Sequence, residues 1–259
     1  MIKISNLWKK FGSLQVMAGL DLEVKTGETL VILGQSGIGK SVLLKHVIGL
    51  TKPDEGTVDI DGVCISRLEG DQIFKTLRNM GMLFQGGALF DSMNVEQNVA
   101  FYLVQHGNPS TNTPYSKKEI ADRVAEALEL VCLSGTNKKM PSELSGGMKK
   151  RAALARLIAY RPSIILYDEP TTGLDPITAM QINELIVKTQ KELKATSIVV
   201  THDMFSALYV GDRLSLIKDG KIAYIADPDA FIKIDDPLIK FLYNTISKDP
   251  RSFKENFHG

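Results

Sequence analysis

The stretch "TLVILGQSGIGKSVLLKHV", Thr29–Val47, decides how this chain is read. A short apolar run is followed by a glycine-rich turn, and the turn by Leu43, Leu44, Val47 and Ile48 at helical spacing. A continuous apolar run of this length suits a strand buried on both faces, as in a parallel sheet. Between strand and helix, "GQSGIGKS" fits the pattern G-x-x-x-x-G-K-[ST]. Glycines let main-chain N–H groups wrap a phosphate, and the helix that follows offers its positive N-terminus. The residues assigned to this cradle are Gly34, Gln35, Ser36, Gly37, Ile38, Gly39, Lys40 and Ser41. Lys40 is expected to reach the β and γ phosphates of a nucleoside triphosphate, and the Ser41 hydroxyl to ligate Mg²⁺.

Outward from this stretch the chain alternates in type. Residues 1–33 read as strands, and "TKPDEGTVDIDG" as turn, short strand and turn. Residues 88–158 become helical, with a capping box at Ser116 and Glu119 opening "SKKEIADRVAEALELV". Buried strands return at "SIILYDEP" and "TSIVVTHD", with the helix "AMQINELIVKTQKEL" between them. That order predicts a parallel sheet in an α/β fold. "DRLSLIKDGKIAYI" predicts a hairpin around Asp219-Gly220, and a tail follows from Asp227. Residues 106–116 are the best candidate for an exposed loop.

Bulk properties exclude several classes. A chain of 259 residues with 44% hydrophobic and 24% charged residues can build a core without disulfide staples. Its cysteines, Cys64 and Cys132, form no CxxC and read as small buried hydrophobes in a reducing compartment. A net charge of +1 gives no electrostatic case for nucleic acid as a partner. The N-terminus lacks the apolar core of a secretory signal, and no apolar run is long enough to span a bilayer. Service to a membrane would therefore run through a partner.

"SIILYDEP" supplies a second set of chemical groups. Its apolar strand ends in Asp168 and Glu169, at the carboxyl edge where open α/β sheets bind ligands. Asp168 would hold Mg²⁺ through water and Glu169 would polarise an attacking water. The same acids could instead cap the following helix; the phosphate loop upstream favours the catalytic reading.

At these residues the sequence resembles the ATP-binding-cassette (ABC) ATPases, over about residues 2–225. "GQSGIGKS" is similar to the family's phosphate loop, and "GMLFQ" ends in the Q-loop residue, Gln85. "LSGGM" resembles the signature, "ILYDEP" the Walker B strand, "TTGLDP" the D-loop with Asp175, and "VVTHD" carries the switch histidine, His202. Phe11 falls at the position that stacks on adenine. The resemblance implies a P-loop NTPase core of residues 1–85 and 159–225, an inserted helical subdomain of 86–158, and a C-terminal extension of 226–259. It further implies that Ser145, Gly146 and Gly147 bind the γ phosphate held by a second copy of the chain, as free amides at a helix start favour an anion. Glu169, His202 and Gln85 become the catalytic set, and Ser41, Gln85 and Asp168 the Mg²⁺ set, partly through water. Lys149, Lys150 and Arg151 read as a solvated basic face. Departures from the common pattern are Met148 after the signature glycines, Ile38 within the phosphate loop, and "TTGLD" at the D-loop.

"LFQGGALFDSMNVEQNVAF", the signature ending in Met148, and the tail "DDPLIKFLYN" look like the ATPases of MCE-type phospholipid transporters. Leu89, Phe90 and Met93 are then expected as exposed apolar anchors for a permease helix, or alternatively as packing within the helical block. In the tail, Pro237 suits a first helical turn, with Leu238, Phe241 and Leu242 as an apolar stripe. The implied protein is a peripheral ATPase on the cytoplasmic face of the inner membrane. It would bind ATP and Mg²⁺, pair with its own copy, and serve an integral membrane permease. A small regulatory subunit and an MCE lipid-binding protein are further implied partners. Competing readings are an importer ATPase for amino acids or metal chelates, a non-transport cassette such as those of iron–sulfur cluster assembly, and a nucleotide-binding scaffold without catalysis.

Overall fold

The computed structural model describes residues 1–108, 111 and 113–244. Its elements run β1 (Ile2–Phe11), β2 (Leu14–Val24), β3 (Thr29–Leu33), α1 (Lys40–Val47), β4 (Glu55–Ile60), β5 (Val63–Cys64), α2 (Asp71–Leu77), β6 (Met80–Leu83), α3 (Val95–His106), α4 (Lys117–Leu130), α5 (Gly146–Tyr160), β7 (Ile164–Asp168), α6 (Pro176–Leu193), β8 (Thr196–Thr201), α7 (Met204–Val210), β9 (Arg213–Lys218), β10 (Lys221–Ala226), α8 (Pro228–Phe231) and α9 (Pro237–Asn244). They form two compact units. The first joins Met1–Leu77 to the chain from Thr196 onward, and the second is Arg78–Ala195.

In the first unit an antiparallel sheet has the order β2-β1-β4-β5. A second set of strands is built on β3, which pairs in parallel with β8 on one side and β9 on the other. All five residues of β3 and all six of β8 are buried, so both strands read as unbroken apolar or small-residue runs. β10 closes antiparallel on β9. The turn between them is Asp219-Gly220, with φ of 50° and 72°, as a two-residue hairpin of right-handed twist requires.

The second unit is mainly helical. β6 and β7 pair in parallel, and α3, α4 and α5 pack on one another. The Ser116–Glu119 capping box forms at both ends: Glu119 N–H donates to Ser116 Oγ at 3.2 Å and Ser116 N–H to Glu119 Oε2 at 2.8 Å. A second box opens α3 through Asn94 and Gln97.

Two expectations are corrected. Cys132 is exposed, in a turn with φ 56°, and Cys64 is half-buried at the end of β5, so neither is a core hydrophobe. In α9 the fully buried residue is Ile239, while Phe241 is 65% exposed. Leu238 and Leu242 of the expected stripe are half-buried, and α9 lies in contact with α7. The expected loop of residues 106–116 does join α3 to α4 and is mostly exposed among the described residues, with Gly107 buried and Asn108 N–H donating to Thr113 O at 2.8 Å; residues 109, 110 and 112 lie outside the described residues.

Candidate active site

The phosphate-loop residues leave the carboxyl end of β3 and enter α1. Gly39 precedes the helix at φ 110°, a conformation few residues other than glycine adopt, and Gly37 has φ 79°. Gly39 is fixed by packing as well, since a Cβ there would lie 2.5 Å from Val16 Cγ1. Gly34 is equally tight: its Cβ would lie 2.6 Å from Ile217 Cγ2. The Lys40 ammonium donates to Gly34 O at 2.8 Å and Gln35 O at 3.0 Å, which centres its charge inside the loop. Gln35, Ser36 and Gly37 are exposed, Ile38 and Ser41 half-buried, and Lys40 buried.

Parallel register brings His202 to the same edge. Leu33 pairs with Thr201, so Gly34 and His202 are the next residues on adjacent strands. Both sides of His202 are pinned. Asp203 N–H donates to Thr201 Oγ1 at 3.0 Å, and the Asp203 carboxylate caps α7 by accepting from the amides of Phe205 and Ser206. The histidine itself is exposed. Phe11 is half-exposed at the end of β1, with the Lys9 ammonium 5.6 Å from its ring centroid.

The remaining candidates lie on the second unit, where the same construction recurs. Leu83 of β6 pairs with Tyr167 of β7, so Phe84-Gln85 and Asp168-Glu169 emerge together at one edge. Gln85 is exposed in a turn closed by Gly87 N–H to Phe84 O at 2.8 Å. Asp168 and Glu169 are buried. Glu169 has φ 47°, and its Oε2 accepts from the Thr172 hydroxyl at 2.9 Å. The helix that follows is capped by Asp175, which accepts from Thr178 N–H at 3.0 Å. The Thr178 side chain, and then the Thr178 amide, hold the Asp175 carboxyl below its usual range. Capping therefore accounts for Asp175 and leaves Asp168 and Glu169 to other chemistry.

Ser145 is the N-cap of α5, its hydroxyl accepting from Met148 N–H at 3.3 Å. Ser145 and Gly146 are exposed, whereas Gly147 is buried. A Cβ on Gly147 would lie 2.5 Å from Thr178 Cγ2, so this glycine lets α5 approach the start of α6. Lys150 is corrected outright. It is not part of a solvated face but 6% exposed, with its ammonium on the carbonyls of Glu169, Pro170 and Thr172. Burial lowers its pKa, opposed by the nearby Glu169 carboxylate. Lys149 and Arg151 are half-buried.

Residues that sequence reasoning missed hold the segment after Gln85. Arg156 donates to Ala88 O at 2.8 Å and Gly87 O at 3.2 Å, and its guanidinium lies 5.9 Å from the Phe90 ring centroid. Asn98 is fully buried and bonds Phe90 N–H together with the carbonyls of Phe90, Met93 and Asn94. Phe90 is 40% exposed and rests on Phe101, while Leu89 and Met93 are half-buried rather than exposed. The signal for these holders was present as an arginine and an asparagine on apolar helix faces.

The chain is similar to known proteins. Residues 17–172 match the family described as ABC transporter. The intermembrane phospholipid transport system ATP-binding protein MlaF of Haemophilus influenzae is 39% identical over 98% of this chain and 94% of MlaF. The probable ribonucleotide transport ATP-binding protein mkl of Mycobacterium leprae is also 39% identical, over 94% of this chain and 68% of its own length. Among solved structures, the ATP-binding cassette MJ0796, in a dimeric post-hydrolysis state bound to ADP and Pi, is 33% identical with a TM-score of 0.78. It covers 88% of this chain, which in turn covers 99% of it. The chain belongs to the ABC transporter family, as an ATPase whose hydrolysis of ATP is coupled to transport.

Proposed function

We propose that this ATPase powers phospholipid transport across the cell envelope, as an ATP-sandwich homodimer beneath an integral membrane permease. The observation that carries the reading is the similarity to MlaF along nearly the whole of both chains. Phe90, presented on a loop held by Arg156 and Asn98, is the apolar contact for the permease. Among the described residues no helix is long and apolar enough to cross a membrane; in this reading the permease holds the chain at the inner membrane's cytoplasmic face. A small regulatory subunit and an MCE lipid-binding protein complete the proposed assembly. The same reading takes 86–158 as a helical subdomain inserted in a nucleotide-binding core of 1–85 and 159–225, with 226–259 as an extension.

In each active site the backbone amides and Lys40 of residues 34–41 hold the phosphates of ATP, and Phe11 stacks on the adenine. Ser145, Gly146 and Gly147 reach the γ phosphate from the other subunit, and Asp175 faces that junction. Glu169 takes a proton from the attacking water, with His202 and Gln85 orienting it. Ser41, Gln85 and Asp168 would hold Mg²⁺. They are an all-oxygen set suited to that ion. When bound, the ion would supply positive charge against the phosphates of ATP.

The name of the mkl relative, at equal identity, supports a ribonucleotide cargo as a second reading. Affinity purification of the tagged chain from detergent-solubilised membranes separates the two. Phospholipid transport predicts a co-purifying permease and ATPase activity that responds to phospholipid in proteoliposomes. A response to ribonucleotides and none to phospholipid overturns the lipid reading. Phe90→Asp should abolish permease capture with ATP binding intact; loss of both would refute the docking assignment.

A further inference from the structure

We propose that Lys150 is a positioning residue for hydrolysis: anchored to the carbonyls of the 169–172 turn, it holds Glu169 in the backbone conformation that aims its carboxylate. This rests on the reading of Glu169 as the base.

The argument begins with a backbone outlier. Glu169 has φ 47°, in the left-handed region that glutamate rarely enters. The next residue is Pro170, and a residue before proline is pushed toward extended conformations by the pyrrolidine ring. Local preference therefore opposes the observed geometry twice over. A strained residue of this kind persists only where its surroundings over-determine it.

Lys150 supplies that constraint from a different element. It projects from α5, near the signature turn, and is buried. Its ammonium donates to Thr172 O at 2.7 Å, Pro170 O at 2.8 Å and, more loosely, Glu169 O at 3.4 Å. Burying an ammonium is unfavourable unless its hydrogens find acceptors, and here three hydrogens meet three main-chain oxygens. The carbonyls are those of one tight turn, so relaxing Glu169 toward an extended conformation would pull at least one of them off the ammonium. Thr172 carries the constraint onward. Its carbonyl accepts from Lys150 while its hydroxyl donates to Glu169 Oε2 at 2.9 Å and its N–H to Glu169 O at 3.3 Å. The chain Lys150–Thr172–Glu169 thus fixes both the backbone and the carboxylate of the base.

The test compares phosphate release at saturating ATP by the full chain carrying Lys150→Met, Lys150→Arg, Glu169→Gln or the pair Lys150→Met/Glu169→Gln. ATP affinity is measured by titration with a fluorescent ATP analogue, and thermal unfolding is recorded for each variant. Lys150→Met should lower kcat by about tenfold or more while changing ATP affinity by less than about threefold, the pattern of an interaction that serves the reaction rather than binding. Lys150→Arg, which keeps a donor fork, should recover most of the lost kcat. The double variant should turn over no more slowly than Glu169→Gln alone, because a residue acting through Glu169 has nothing left to position. A kcat for Lys150→Met within twofold of the parent, or losses that multiply in the double variant, overturns the proposal while leaving the base intact. Normal turnover by Glu169→Gln overturns the base reading and this proposal with it. Should Lys150→Met fail to show cooperative unfolding, Lys150→Gln, which retains two N–H donors, is judged by the same criteria.

Discussion

Replacing Asn98 by alanine tests whether the loop after Gln85 is held as described. Asn98 is fully buried and lies near the start of α3, beyond the Asn94–Gln97 capping box, so its removal leaves that cap in place. Its Oδ1 accepts from Phe90 N–H at 2.8 Å, and its two Nδ2 hydrogens serve Met93 O at 2.8 Å and, at 3.1 Å, the carbonyls of Phe90 and Asn94. Three hydrogens are therefore engaged. At about 1 kcal/mol net for each bond, with a further penalty for the orphaned Phe90 amide, the loss is about 3–4 kcal/mol. That is a large part of the ~5–15 kcal/mol that stabilises a domain, yet does not exceed it. Urea denaturation should report the loss, and hydrogen exchange should find the Phe90 amide opening roughly 10² to 10³ times faster, since about 1.4 kcal/mol corresponds to a factor of ten. Asn98→Asp keeps the acceptor for Phe90 N–H but sets a charge against three carbonyls, and should cost more than alanine. A loss under about 1 kcal/mol with unchanged exchange at residues 86–94 would refute the account.

Other expected outcomes follow from single contacts. Gly147→Ala places a methyl 2.5 Å from Thr178 Cγ2 and should destabilise the chain by about 1–3 kcal/mol in thermal unfolding; Thr178→Ser should relieve most of this, and failure to do so removes the steric explanation. Glu169→Gln should slow phosphate release by roughly 10² to 10⁴ and trap an ATP-bound dimer by size-exclusion chromatography. A disulfide or cross-link between the Ser145 turn and the partner's Gly39 should form only in that trapped state. For Asp236, burial pushes the carboxyl up, but the Leu238 amide, the Lys218 ammonium and the Ile239 amide outweigh it and hold it below its ordinary value. Its stabilisation is therefore present above that value and lost as pH falls through the folded pKa. Asp236→Ala should cost about 1 kcal/mol at neutral pH, with the difference shrinking below pH ~4 in denaturation curves.

Much of the molecule was legible because its signals are short-range. The phosphate loop, the acids closing β7, the Ser116 capping box and the Asp219-Gly220 hairpin each depend on residues a few positions apart, and each appears where expected. Their chemistry is local: a φ only glycine accepts, an amide in need of a cap, an apolar run too short for anything but a buried strand. A parallel sheet, as in the pairing of β3 with β8, follows from the order of strands and helices; β6, only four residues long, carries no such signal, and its pairing with β7 is a finding of the structure.

Tertiary structure alone decided which polar groups would be buried. "MKKR" at 148–151 offers three cations in a row, and helical spacing cannot tell which faces the turn at 169–172; packing selected Lys150. Asn98, Arg156 and the left-handed Glu169 were hidden for the same reason, since their partners lie on other segments or their strain opposes local preference. In α9 the apolar pattern allowed two phases, and the fold buried Ile239 and left Phe241 exposed. Sequence by itself determined the elements and the phosphate chemistry, which act over one or two turns of chain. The fold determined which long-range partner each polar or apolar face would meet, because burial is settled only when distant segments compete for the same space.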